Sequence, residues 1–124
     1  MSDEKKNQPE STPSKPGAGT ESIRKQVARA MAPLFPMGQI VATRGFLALC
    51  EEHQANMREA GIEFLLDHSL GKWGELCDDD IYANQEALRN GGRVLSKYRF
   101  HGTPLYVITE ADRTATTILL CDEY

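Results

Sequence analysis

The sequence predicts a small α+β domain. Apolar residues at helical spacing run through the middle of the chain, and three closely spaced strand-forming runs close it. The length of 124 residues suits one ordinary domain and falls short of two. The expected organisation is a disordered tail over 1–22 and a single α+β domain over 23–124, with helices first and a three-stranded antiparallel meander last. One extra N-terminal strand is available to that sheet.

Residues 1–22, "MSDEKKNQPESTPSKPGAGTES", hold three prolines and two glycines, and nothing aliphatic or aromatic beyond Met1 and Ala18. So little apolar surface cannot offset the roughly 1–2 kcal/mol per residue that ordering a backbone costs. Ser22 is placed to cap a short helix through "IRKQVARAM", where Ile23, Val27, Ala30 and Met31 share one face. Pro33 and Pro36 end it.

"GQIVAT" reads as a first strand. "RGFLALCEEH" follows as a helix with Phe46, Leu49 and Cys50 in phase, and "IEFLLDHSL" as a second with Ile62, Leu65, Leu66 and Ser69 inward. In "CDDDIYANQEALRNGG" Asp78 is expected to cap, Asp79 and Asp80 suit the positive end of the helix dipole, and Gly91 supplies the stop. Its inward face is expected to be Ile81, Asn84 or Gln85, and Leu88. "RVLSKYRF", "PLYVIT" and "TTILL" are the three strands, joined through His101-Gly102 and through Glu110-Ala111-Asp112-Arg113.

Composition narrows the function classes. The net charge is −4, and without the tail 11 basic and 14 acidic residues remain, an acidic balance that disfavours broad nucleic-acid binding. No window is long and apolar enough for a spanning helix and the start lacks a signal-peptide core, so no membrane association and a cytoplasmic location are expected. Cys50, Cys77 and Cys121, odd in number and irregular in spacing, are expected to be free thiols.

Two stretches carry chemistry. The first is the charged knot Glu110-Ala111-Asp112-Arg113. A hairpin tip accounts for it, because Asp favours turns through bonds to its own backbone. A functional account makes Glu110 a base or acceptor at the sheet rim beside Asp112, with Arg113 holding an anion and Thr114, Thr116 and Thr117 in support. The second is a basic stripe, since period-two alternation puts Arg93, Leu95, Lys97 and Arg99 on one strand face and Val94, Ser96, Tyr98 and Phe100 on the other. That face offers phosphate, RNA or an acidic protein a surface; solvated edge-strand cations that discourage aggregation are the simpler explanation.

Cys50 and His53 sit at metal-like spacing without a second compact pair, so no metal ligands and no cofactor are assigned. His68 is expected to cap the last carbonyls of its helix, His101 to be exposed in the turn, and Trp73 to plug the core beneath its glycine-flanked loop. There is no Gly-x-Ser-x-Gly and no Gly-rich phosphate loop.

From about Leu34 onward, "GQIVATRG", His68 with "GKWGEL", "ANQEAL", "GGRVLSKY" and "VITEADRTATTILLCDEY" resemble a family of small proteins carried on proteobacterial plasmids and integrative elements. Members bear labels such as "plasmid-related protein" or "type I restriction endonuclease subunit M". The sheet size, Gly-rich turn and base pocket that a methyltransferase needs are missing here. The resemblance therefore implies a mobile-element setting and an approximate shape, with no catalytic residue attached.

The expected function is that of a non-catalytic accessory protein of a mobile genetic element. It would bind a protein or other macromolecule in defence, counter-defence or transfer regulation, with Arg93, Lys97, Arg99, Glu110, Asp112 and Arg113 as contact residues. The alternative is a small metal-independent endoribonuclease with His68 or Glu110 as base, Arg93 or Arg113 holding phosphate, and Tyr98 or Thr117 in support. A second alternative is a DNA-binding regulator reading through Arg24, Lys25 and Arg29.

Overall fold

A computed structural model of the chain describes residues 22–30 and 32–124. The chain divides into two units, Met1–Ala32 and Pro33–Tyr124. In the first, helix α1 spans Ile23–Ala30, and the Lys25 N–H donates to Ser22 Oγ at 3.2 Å, the cap expected of Ser22. Its apolar Ile23 and Val27 are exposed. Residues 1–21 and Met31 lie outside the described residues.

The second unit takes the α+β fold. Strand β1 (Gln39–Ala42) leads into helices α2 (Arg44–Glu52), α3 (Met57–Ser69) and α4 (Asp78–Asn90), followed by strands β2 (Val94–Phe100), β3 (Thr103–Thr109) and β4 (Ala115–Leu120). The last three form the expected antiparallel meander, and β1 joins it parallel to β4, giving a mixed sheet in the order β1-β4-β3-β2. Gly38 makes this entry possible. Its φ is +65°, and a Cβ there would collide with the carbonyl of Thr114, whose oxygen accepts the Gln39 N–H at 2.9 Å.

Strand alternation puts Val94, Ser96 and Tyr98 of β2 on the buried face, while Arg93 and Arg99 are exposed and Leu95 and Lys97 half-buried, as the period-two pattern predicts. Phe46, Leu49 and Cys50 of α2 pack on that face against Tyr98, Leu105, Val107 and Ile118. A second cluster joins Phe35, Ala87 and Val94, with Met37, Leu88 and Trp73 packed against it. Trp73 thus closes the core beneath its loop.

Three local expectations are corrected. Helix α3 starts at Met57, because Asn56 caps it by accepting the Glu59 N–H at 3.1 Å, and its inward side is Gly61, Phe64, Leu65 and His68 while Ile62 and Leu66 face out. In α4 the cap position is Cys77, which makes no side-chain bond, and Asp78 is the first helical residue. The inward face of the same helix is as expected, with Asn84 buried, Ile81 and Leu88 half-buried and Gln85 exposed, and Ala87 is buried beside them.

The two edges of the sheet differ. At β2, Asn84 holds the outward backbone of Leu95, its Nδ2 donating to the Leu95 carbonyl at 2.6 Å and its Oδ1 accepting the Leu95 N–H at 2.9 Å. Next along, the Lys97 N–H donates to the Trp73 carbonyl at 2.9 Å and the Glu75 N–H to the Lys97 carbonyl at 2.7 Å. Only glycine fits at position 74 between them, since a Cβ would run into the Lys97 carbonyl. Nothing comparable covers β1 among the described residues.

Candidate functional site

The charged knot is a turn. The Glu110 N–H donates to the Ala115 carbonyl at 3.0 Å and the Arg113 N–H to the Glu110 carbonyl at 2.9 Å, with Arg113 at φ +63°. Asp112 Oδ1 accepts the Thr114 N–H at 3.0 Å and the Thr114 hydroxyl at 2.6 Å, and these bonds hold its carboxyl below the usual carboxylate range. The Arg113 guanidinium turns inward over the Phe35 ring, 5.7 Å from its centroid, and donates to the carbonyls of Ala87, Gly92, Glu110 and Ala111. Nη1 and Nη2 thereby fasten the end of α4 to the hairpin.

His68 departs furthest from expectation. It is fully buried and its ring bridges β2 and β3 on the helix-covered face, bonded to Ser96 Oγ through Nδ1 at 2.6 Å and to Thr109 Oγ1 through Nε2 at 2.9 Å. Thr109 bonds Thr116 at 2.7 Å, and Thr116 donates to the Met37 carbonyl at 2.7 Å. A carbonyl only accepts, so the direction of the chain is fixed as far as His68 Nε2–H, and the neutrality of the buried ring sets the last link from Ser96. Thr116 gives its proton to Met37, Thr109 gives its own to Thr116, His68 Nε2–H donates to Thr109, and Ser96 donates to Nδ1. The imidazole is held neutral, and burial lowers its pKa from the ordinary 6.5 to about 4.

The stripe on β2 is charge-balanced at both ends. Arg93 stands 3.8 Å from Glu110 and donates to the Tyr124 hydroxyl at 2.9 Å; Arg99 Nε meets Glu75 at 3.0 Å and its Nη1 donates to the Gly102 carbonyl at 3.0 Å. Arg93, Glu110, Lys97 and Arg99 therefore share the outer side with Tyr106 and Tyr124, while His68 and Tyr98 lie on the helix-covered side. Tyr98 is 8% exposed, donates to the Lys72 carbonyl at 2.6 Å, and burial pushes its phenol up to about 12. The structure does not bring His68, Glu110, Arg113 and Tyr98 together, so no proton-transfer pair faces a phosphate-holding cation among them.

His101 is exposed in its turn at φ +49° and stacks on His53 with ring centroids 3.9 Å apart. Cys50, Cys77 and Cys121 are unbridged, and among the described residues no three His, Cys, Asp or Glu side chains cluster as metal ligands would.

The concavity best formed to receive a partner lies elsewhere. Helices α2 and α3 leave the β1 end of the inner sheet face open as a groove of about 510 Å³, walled by Ile40, Leu47, Met57, Arg58, Ile62 and Leu65 and floored by Ala42 and Ile118. Ile40, Leu47, Met57 and Ile62 are exposed along it. Helix and sheet meet at Gly61, where a Cβ would lie in ordinary van der Waals contact with Ile118 Cδ1 at 3.4 Å. The sequence does hold a signal for this surface: Ile62 and Leu66, four residues apart with Arg58 before them, make a second apolar stripe on a helix whose core face is elsewhere. No helix of the described residues is long and apolar enough to cross a membrane. No protein-family profile, no curated protein and no solved structure matches this chain.

Proposed function

We propose that the protein is a non-catalytic accessory factor of a bacterial mobile genetic element that acts in the cytoplasm by binding a protein partner. The observation that carries this reading is the exposed apolar groove between β1, α2 and α3, which leaves large aliphatic side chains in water on one concave surface. The dispersal of His68, Glu110, Arg113 and Tyr98, each engaged in holding the fold or in a surface pair, weighs against the endoribonuclease alternative. Carboxylates beside Arg93 and Arg99 weigh against phosphate as the ligand of the β2 stripe. The mobile-element setting rests on the sequence resemblance, and defence, counter-defence and transfer regulation all fit a small binding module.

The test is capture from host lysate at near-physiological salt by the wild-type chain and by Ile62→Asp, whose site is 62% exposed and tolerates a charge in the folded state. A protein retained by the wild type and lost by the variant is expected. Recovery of no partner, or equal recovery by both chains, would count against the reading.

A further inference from the structure

We infer that β1 and the adjoining groove receive an extended segment of the partner protein, one with aliphatic side chains at alternate positions and a carboxylate among them. This deepens the binding reading above and rests on it.

The backbone supplies the first reason. The Gln39 and Thr43 N–H groups bond to β4, donating to the Thr114 and Ile118 carbonyls at 2.9 and 3.1 Å. Strand alternation then turns the N–H and C=O of Ile40 and Ala42 outward, where no described residue meets them. The β2 edge is sealed by Asn84 and the Trp73–Glu75 segment, so β1 is where the sheet can be extended.

Side chains supply the second. Ile40 and Ala42 pair with Thr116 and Ile118 on the helix-covered face, so alternate residues of an added strand, about 4.8 Å further out, would point into the groove toward Met57 and Ile62.

Charge selects the occupant. Arg58 is the one charged side chain in the groove wall, and it has no carboxylate partner among the described residues. Glu59 and Glu63 project from the other side of α3, at roughly 100° per residue away from the Met57, Gly61 and Leu65 line. A second copy pairing edge to edge would bring two walls bearing Arg58 over one joined groove, like charge against like. An acidic–aliphatic strand from a different protein satisfies the cation, the apolar wall and the free backbone together.

The probe is a display library of random twelve-residue peptides selected on the full chain. The best synthetic peptide is then titrated by fluorescence anisotropy. Enriched peptides should alternate aliphatic residues and carry Asp or Glu. Ile40→Pro removes an outward donor that bonds no described residue, so the thermal melt should hold while affinity falls about tenfold or more. Ile40→Val should cost less than about threefold, and Arg58→Glu, exposed and safe for folding, about tenfold. Basic or non-alternating peptides, no enrichment, or full affinity in both Ile40→Pro and Arg58→Glu would overturn the inference. So would a concentration-dependent dimer dissolved by Ile40→Pro, which would assign the edge to a second copy. If lysate capture still depends on Ile62 while the peptides fail, the binding reading stands and only strand addition falls.

Discussion

Lowering the pH from 7 toward 4 should weaken the fold through His68 before the carboxylates titrate. The ring is buried and neutral, fixed as the Nε2–H tautomer by the directed chain from Ser96 to the Met37 carbonyl. A second proton at Nδ1 would face the Ser96 hydroxyl, which must then turn its own proton away from the ring. The unfolded chain takes that proton near pH 6.5 and the folded chain at about 4. Between those values the unfolded state binds more protons, so stability is fully present above the unfolded pKa and is lost as the pH falls through the window. The separation corresponds to about 3 kcal/mol, at roughly 1.4 kcal/mol per pH unit in the middle of the range. Urea melts at half-unit steps can follow Trp73, the only tryptophan, whose ring lies 5.9 Å from His68. His68→Gln should be less stable at pH 7 yet show a much flatter profile between pH 6 and 4.5, because His53 and His101 remain in both proteins. The proton resonances of the folded wild-type ring should also stay unshifted down to pH 5. A flat wild-type profile, an equally steep His68→Gln profile, or a ring titrating near 6.5 in the folded protein would refute the account.

Other features of the sheet give further predictions. Asn84→Ala strips the Leu95 N–H and C=O of their partner and should cost about 2–4 kcal/mol by chemical denaturation. Arg113→Lys keeps the charge but cannot reach the Ala87 and Gly92 carbonyls together, and a loss of about 1–3 kcal/mol is expected in the same assay. Glu123 accepts the Thr43 hydroxyl at 2.7 Å and the Gly45 and Leu120 N–H groups at 3.0 and 2.8 Å, capping α2 from the other end of the chain. Burial pushes its carboxyl up, but these three donors outweigh that and leave it below the usual range. Glu123→Gln should therefore cost about 0.5–1 kcal/mol of stability at pH 7 by chemical denaturation, and the difference should vanish as the pH falls through the depressed pKa.

Much of the fold is legible in the sequence because local rules decide it. The period-two pattern of "RVLSKYRF" survives in the structure because one face of β2 must be buried and a one-residue slip would expose Val94, Ser96 and Tyr98. The first strand and the helix after it follow from "GQIVAT" and the phase of Phe46, Leu49 and Cys50. The start of α3 was also written there, as Asn56 three residues before Glu59, a cap that the apolar periodicity further along obscures. His68 is different. Its partners Ser96 and Thr109 lie 28 and 41 residues away, and no spacing rule links residues so distant. A histidine near a helix end looks the same in sequence whether it caps carbonyls or completes a buried chain of hydroxyls. The charged knot failed as a site for a related reason: Arg113 is committed to Ala87 and Gly92, carbonyls that only the tertiary fold brings within reach.

The same distinction explains why the candidate site moved from the C-terminal hairpin to β1. Charged residues at a turn draw the eye because chemistry is read from functional groups, whereas a receiving edge is read from what the fold leaves uncovered. β1 is short and apolar on both sides, with Ile40 and Val41 exposed, and in isolation it looks like any buried strand. Only the parallel pairing with β4 reveals that Ile40 and Ala42 direct their backbone groups into solvent, and only the placement of α2 and α3 leaves an aliphatic groove beside them. An edge of this kind invites aggregation unless it is short, charged or occupied. β1 is short, spanning four residues, yet the groove extends its apolar surface onto Met57 and Ile62, and one unpaired arginine is a weak guard. Occupation by a strand of a different protein is the remaining way to remove that exposure, since two copies meeting at this edge would set Arg58 against Arg58.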